Sequence, residues 1–243
     1  MTEEEWLKCE DPTPMLEFLK GKVSERKLRL YFCGGCGCLA PLLYDPNSIK
    51  AVGIVERFAD NLANAEDMKH ATWLAEGAVL GFDVWEGRPL FKMDLLPRLV
   101  TIGALSESAL TGSEWQLNET ICRRLYAAAD LVYLITYTSY DEEFQDRAVA
   151  QMRQIEWPGL WLRDCVFGNP FRPDALNLSW LTSTVVALAR GIYTDRAFDR
   201  MPILADALQD AGCENAAILD HCRDPKGVHV RGCFVVDMIL GFS

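Results

Sequence analysis

The sequence has little basic charge and no long apolar run. Its 243 residues hold 24 lysines and arginines against 35 aspartates and glutamates, a formal net charge of −11. Because duplex nucleic acid is polyanionic, a protein that binds it normally presents an excess of cations. No apolar run approaches the ~20 residues that cross a bilayer. We therefore expect neither nucleic acid nor a membrane as a partner.

The first residues also lack the pattern of a secretory leader. They read Met-Thr-Glu-Glu-Glu-Trp, whereas a leader has basic residues followed by an apolar stretch. The chain contains nine cysteines, an odd number that does not suit a secreted disulfide framework. These features predict an acidic, cysteine-rich, soluble protein of the cytoplasm with mostly reduced thiols.

Helix signals dominate the sequence that remains. Asp45-Pro46, Thr13-Pro14, Ser24 and Ser113 each have the residue types that begin helices, since their side-chain oxygens accept hydrogen bonds from the first free amides and proline suits the first turn. We predict an all-α bundle of about nine helices. Residues 131–138 are rich in β-branched and aromatic side chains, so they fit either a short strand or a buried helix.

The helices are expected to form a single domain over residues 1–243. Within it, N-terminal helices occupy 1–66 and C-terminal helices occupy 159–243. The segment 67–158 between them contains the least regular part of the sequence, where glycine and proline interrupt the helical pattern.

The segment Cys33-Gly34-Gly35-Cys36-Gly37-Cys38 allows three interpretations. As part of a helix, its glycines would either let a neighbour pack against bare backbone or break the helix, since each costs roughly 1 kcal/mol relative to alanine. Its three thiols could instead form a redox or metal site. As a strand followed by a glycine-rich turn, the segment would match the cofactor loop of a Rossmann-like methyltransferase, with Glu56 binding the ribose of S-adenosylmethionine.

A second group of metal-ligand residues lies near the C-terminus, where two of the three histidines of the chain occur. Structural zinc takes four cysteine or histidine ligands. The spacing Cys222-x6-His229-x3-Cys233 suits three of them, with Cys213 or His221 as the fourth. Against this, no Cys-x-x-Cys pair is present there, and buried cysteine often serves only packing. The predicted metal residues are Cys213, His221, Cys222, His229 and Cys233.

Two long segments carry a resemblance to a known family. The first reads MTEEEWLKCEDPTPMLEFL, and the second contains FGNPFRP, DRMPILADAL and HVRGC. Both resemble a family of uncharacterised bacterial proteins. This resemblance implies an all-helical protein and gives no catalytic residues to transfer.

Together these observations favour a non-enzymatic protein-interaction or scaffold module with a candidate structural zinc site. The alternative is the S-adenosylmethionine-dependent methyltransferase that uses residues 33–38 and Glu56.

Far-UV circular dichroism separates these two alternatives. A helical interaction module should give a spectrum dominated by α-helix. A Rossmann-like methyltransferase must add a substantial strand signal, because its fold is built on a parallel sheet. A strand contribution comparable to the helical one would contradict the all-α prediction.

Overall fold

The computed structural model describes residues 1–40, 43, 45–80, 119–137, 142–154, 159–172 and 176–242. Within these ranges the chain forms twelve α-helices and two short 3₁₀ turns, and no β-strand. The all-α prediction is confirmed. The helices are α1 (Glu3–Lys8), α2 (Pro12–Leu19), α3 (Glu25–Cys38), α4 (Pro46–Ala59), α5 (Ala65–Leu80), α6 (Glu119–Ile135), α7 (Glu142–Gln154), α8 (Gly159–Phe167), α9 (Ser183–Asp195), α10 (Met201–Asp210), α11 (Ala216–Arg223) and α12 (Phe234–Leu240).

The helix starts follow the predicted capping chemistry at several places. The Asp45 carboxylate accepts a hydrogen bond from the amide of Asn47 at 2.8 Å, and Pro46 occupies the first turn. Ser24 Oγ accepts one from the amide of Lys27 at 3.3 Å. The second helix begins at Pro12 and not at Pro14. The start predicted at Ser113 lies outside the described residues.

Both strand alternatives are wrong. Of the strand and the buried helix that the sequence allows at 131–138, the helix is correct through Ile135, where most of the apolar residues are buried on a helix of 17 residues, and residue 138 lies outside the described residues. The methyltransferase alternative also fails. Residues 33–38 lie in α3 and Glu56 lies in α4, so the strands and the turn between them that would bind the cofactor do not exist.

The described helices divide into two compact units, Met1–Gly34 with Gly159–Ser243, and Gly35–Pro158. The first change of unit, after Gly34, falls within α3. The second, at Gly159, matches the predicted start of the C-terminal helices. The existence of a single folding domain over 1–243 stays a prediction. None of the helices in the described ranges has both the length and the apolar character needed to span a membrane.

The unit that contains both chain ends, called here the terminal unit, has its main core among its last helices. Helix α9 packs against α10 and α12, and α10 packs against α11. A smaller apolar cluster lies beside it, where Trp6 packs against Phe18 and Phe171 with ring centroids 5.8 and 6.5 Å apart. The main core is formed by buried residues that include Val185, Ala189, Ile192, Leu204, Leu208, Ile218, Val235 and Val236.

The unit over Gly35–Pro158 is built on α4 to α7. Helix α4 packs against α5 and α6, and α6 packs against both α5 and α7. Most of its buried side chains are apolar, and Asp130 is an exception. Burial raises the pKa of the Asp130 carboxyl group, while Arg147 and a 2.7 Å hydrogen bond from Gln151 act in the opposite direction. This carboxyl group thereby joins α6 to α7.

A buried ion cluster in the terminal unit joins α3 to α12. The Asp237 side chain, 2% exposed, accepts contacts from Arg26 at 2.7 Å and from Lys27 Nζ at 2.6 Å. Arg26 also donates to the Tyr193 hydroxyl at 2.7 Å. Removing one member of a buried ion pair leaves the other charge without compensation in a poorly solvated site.

We therefore expect Asp237→Asn to lower the free energy of unfolding by about 3–5 kcal/mol, because Arg26 and Lys27 lose their buried counter-charge. Urea unfolding followed by circular dichroism measures this change. The matched control is Glu4→Gln, which removes the exposed ion pair with Lys8 and should leave stability almost unchanged. If the two substitutions lowered the free energy of unfolding equally, the buried ion cluster would contribute no more to stability than the exposed pair.

Candidate metal centre

Four potential metal ligands converge in the terminal unit. Cys165 lies near the end of α8, His221 lies in the last turn of α11, His229 lies in the loop that follows, and Cys233 immediately precedes α12. One ligand atom from each residue lies within 4.8 Å of every other. No other such group of cysteine, histidine and carboxylate residues occurs in the ranges that the structure describes.

The spacing of these atoms matches one tetrahedral ion. Zinc–sulfur bonds of about 2.3 Å and zinc–nitrogen bonds of about 2.0–2.1 Å place a sulfur and a nitrogen ligand about 3.5 Å apart in a tetrahedron. His221 Nε2 lies 3.4 Å from Cys233 Sγ, and His229 Nδ1 lies 3.9 Å from Cys165 Sγ. These two pairs are within a few tenths of an ångström of the tetrahedral separation, and pairs at the 4.8 Å limit of the group would have to close by about 1 Å.

The packing around the four residues holds their side chains in place. Cys165 and Cys233 are 1% and 0% exposed. The rings of His221 and His229 meet edge to face, with centroids 4.7 Å apart and planes at 84°. Phe234 packs against His221 with a centroid separation of 4.8 Å. Because these contacts already order the side chains, an ion could bind without first having to order them.

The loop that carries His229 packs closely against α3. A β-carbon added to Gly34 would lie 2.9 Å from Val230 Cγ2, and one added to Gly232 would lie 2.9 Å from Leu30 Cβ. Gly232 also has a φ of +90°, which L side chains rarely adopt. Lys27 Nζ donates to the Gly232 carbonyl at 2.7 Å. Of the two predicted outcomes for the glycines of α3, close packing is therefore correct at Gly34.

The pKa values of the two buried thiols are shifted in opposite directions. Burial raises the pKa of Cys233, but hydrogen bonds from Cys165, His221 and His229 outweigh it and hold that pKa well below its usual range. Burial, together with the hydrogen bond to Cys233, raises the pKa of Cys165 well above its usual range. A divalent cation bound between the sulfurs would favour the deprotonated form of both, as thiolate ligation requires.

Three of the five predicted metal residues belong to this group, namely His221, His229 and Cys233. Cys213 and Cys222 are not members of it. Both are buried in the apolar core, to which Cys165 and Cys233 also belong. Burial is the main cause that raises the pKa of Cys222, as expected for a packed thiol. Cys222 follows His221 directly on α11, and adjacent residues of a helix do not face the same point. With His221 in the group, Cys222 is not part of it.

Cys165 was missed by the sequence prediction. It lies 64 residues before His229 in an apolar helix, so no local spacing connects the two. The thiols of α3 do not join the site either. Cys33 and Cys36 are buried and Cys38 is exposed, and none of the three forms a disulfide. The redox or metal interpretation of residues 33–38 stays a prediction, although burial strongly raises the pKa of Cys36.

A cleft of about 950 Å³ lies beside the metal ligands. Its walls include Cys165 and His221 on one side and Lys8 and Cys9 from the end of α1 on the other. Arg163 ties this wall to α1, since its Nη1 donates to the Trp6 carbonyl at 2.6 Å. The cleft thus gives small molecules a path toward two of the four ligand residues.

We expect Gly34→Ala to destabilise the protein by about 1–3 kcal/mol, because the new methyl group must displace the stiff side chain of Val230. Gly37→Ala is the matched control. It lies on the same helix with no atom within 4 Å of the added carbon, so it should stabilise by about 1 kcal/mol through helix propensity. Chemical denaturation of both variants measures the difference. Stabilisation by both would contradict the close contact at Gly34.

Comparison with known proteins gives no family for the chain. No family model, no curated protein and no solved structure matches it. The resemblance of its two end segments to uncharacterised bacterial proteins therefore stays a prediction. The arrangement of its own side chains is the basis on which the site is interpreted.

Proposed function

We propose that the chain is a zinc-binding helical protein in which Cys165, His221, His229 and Cys233 hold one structural zinc ion. The observation that carries this proposal is the convergence of four ligand atoms within 4.8 Å. Two sulfur and two nitrogen ligands in a tetrahedron are typical of zinc. A pocket of this span accommodates a single ion and has no room for the bridging sulfides of an iron–sulfur cluster.

The ligand set favours a structural role for the zinc over a catalytic one. Catalytic zinc sites generally have three protein ligands and keep the fourth position open for water or substrate. Here four protein side chains fill the tetrahedron, and both sulfurs are buried. The bound ion would hold α8, α11, the 224–233 loop and α12 together. Because these elements are separate in the unfolded chain, the free energy of binding would add to the stability of the fold.

Beyond the metal, we propose that the protein acts as an interaction or scaffold module of the cytoplasm and belongs to the bacterial family that its two ends resemble. Support for a protein partner comes from large apolar side chains on the surface, such as Trp73, which is 66% exposed, and Leu62, which is 70% exposed. Aromatic side chains like that of Trp73 are enriched in protein interfaces. The net charge of −11 favours a partner with a basic surface.

Metal analysis of the purified protein tests the zinc proposal. We expect about one zinc ion per chain after loading, and loss of about 3 kcal/mol or more of stability in a strong chelator. Cobalt loading should give the visible absorption of tetrahedral thiolate-ligated Co²⁺.

The matched variants are Cys165→Ala and Cys222→Ala, since both remove a buried thiol of the terminal unit. Cys165→Ala should lose the metal and the cobalt spectrum, whereas Cys222→Ala should keep both. Wild-type protein that binds no stoichiometric zinc and is equally stable in chelator would overturn the proposal. Retention of the cobalt spectrum by Cys165→Ala would overturn this ligand set.

A further inference from the structure

We propose that the metal centre is a thiol switch, in which hydrogen peroxide joins Cys165 to Cys233 as a disulfide and releases the zinc ion. The proposal rests on the zinc site described above and concerns its regulation. The two ligand sulfurs lie within 4.8 Å of each other. A single ion holds them at this separation, and nothing else in the tetrahedron stands between them once that ion leaves.

The cleft beside α8 determines which sulfur reacts first. Both cysteines are buried, 1% and 0% exposed, but Cys165 and His221 line this cleft of about 950 Å³ and Cys233 does not. Hydrogen peroxide is small and uncharged, so it can enter a cleft whose walls combine the cations Lys8 and Lys226 with the anions Glu10 and Asp224. We therefore assign the first attack to the Cys165 sulfur.

The chemistry proceeds in two steps. In the first, the Cys165 thiolate attacks one oxygen of hydrogen peroxide, the O–O bond breaks, and the sulfur becomes a sulfenic acid while hydroxide leaves and is protonated to water. In the second, the Cys233 thiolate attacks the Cys165 sulfur, an S–S bond forms, the S–O bond breaks, and a second hydroxide leaves as water. The two sulfurs together lose two electrons, and the peroxide gains them.

Zinc release follows from the loss of the thiolates. A disulfide sulfur carries no negative charge and is a poor ligand, so only His221 and His229 would remain for the ion. The two histidines alone cannot complete a tetrahedron. A dithiol reductant breaks the disulfide, returns both thiolates and permits zinc to bind again. The cycle is therefore reversible as long as oxidation stops before the sulfinic acid.

Cys9 is the main competitor for the second step. Its half-buried thiol lies in the wall of the same cleft and donates to the Asp11 carbonyl at 3.1 Å. A Cys9–Cys165 disulfide would also release the metal, but it would leave Cys233 as a free thiol. The direct ligand-to-ligand disulfide is favoured because the zinc ion already holds Cys165 and Cys233 as neighbours.

The experiment treats the zinc-loaded full-length protein with a small excess of hydrogen peroxide. Released zinc is read with a chromogenic chelator, free thiols are counted under denaturing conditions, and disulfides are located by peptide mass spectrometry. We expect release of about one zinc ion with formation of the Cys165–Cys233 disulfide. A dithiol reductant with added zinc should restore the metal content.

Two variants keep the result interpretable without altering the ligand set. Cys9→Ser removes the competing thiol and should release zinc at a rate within about twofold of the wild type. Cys38→Ser removes an exposed thiol far along the chain from the site and should do the same.

The possible outcomes separate this proposal from the zinc proposal. Protein that binds zinc but keeps it in peroxide overturns the switch and leaves the zinc site intact. A disulfide from Cys9, or loss of zinc release in Cys9→Ser, overturns the assignment of Cys233 as the partner. Protein that never binds zinc removes both proposals together.

Discussion

Lys27 contacts the backbone beside both cysteines of the candidate metal site. Its Nζ lies 2.6 Å from the Asp237 carboxylate and donates to the carbonyls of Gly232 at 2.7 Å and Val166 at 3.2 Å. Val166 follows Cys165 and Gly232 precedes Cys233, the two cysteines of the candidate site. One ammonium group of α3, on a side chain that is 15% exposed, therefore contacts the backbone next to both cysteines.

Close packing also holds α3 against the loop that contains His229. The Gly34 and Gly232 positions allow α3 and the ligand loop to approach so closely that an added methyl group would clash with Val230 or Leu30. The helix keeps its glycine at Gly34 despite a cost of roughly 1 kcal/mol in helix propensity. The electrostatic and steric contacts thus act on the same few loop residues, and the ligand geometry follows from both.

The proposed functions share one physical origin, which is the closeness of two thiols in a site that lies beside a cleft. With a divalent ion between them, the thiols and the two imidazoles form a tetrahedral centre that links four elements of the terminal unit. With an oxidant, the same closeness favours a disulfide and removes the ligands. In this proposal the zinc-bound form and the metal-free disulfide form are two states of the same four side chains.

The sequence by itself determined the helical class and the helix starts at Asp45-Pro46 and Ser24, because capping and helical periodicity act over three or four neighbouring residues. It also singled out His221, His229 and Cys233, three of the four residues whose potential ligand atoms converge, since their spacing is short.

Only the tertiary structure decided that Cys165 completes the group and that Cys213 and Cys222 are not members of it. The same holds for the segment at 33–38, whose glycines suggested a turn until the contact with Val230 explained one of them. Contacts between residues far apart in sequence depend on how whole helices pack, and no local pattern encodes that packing.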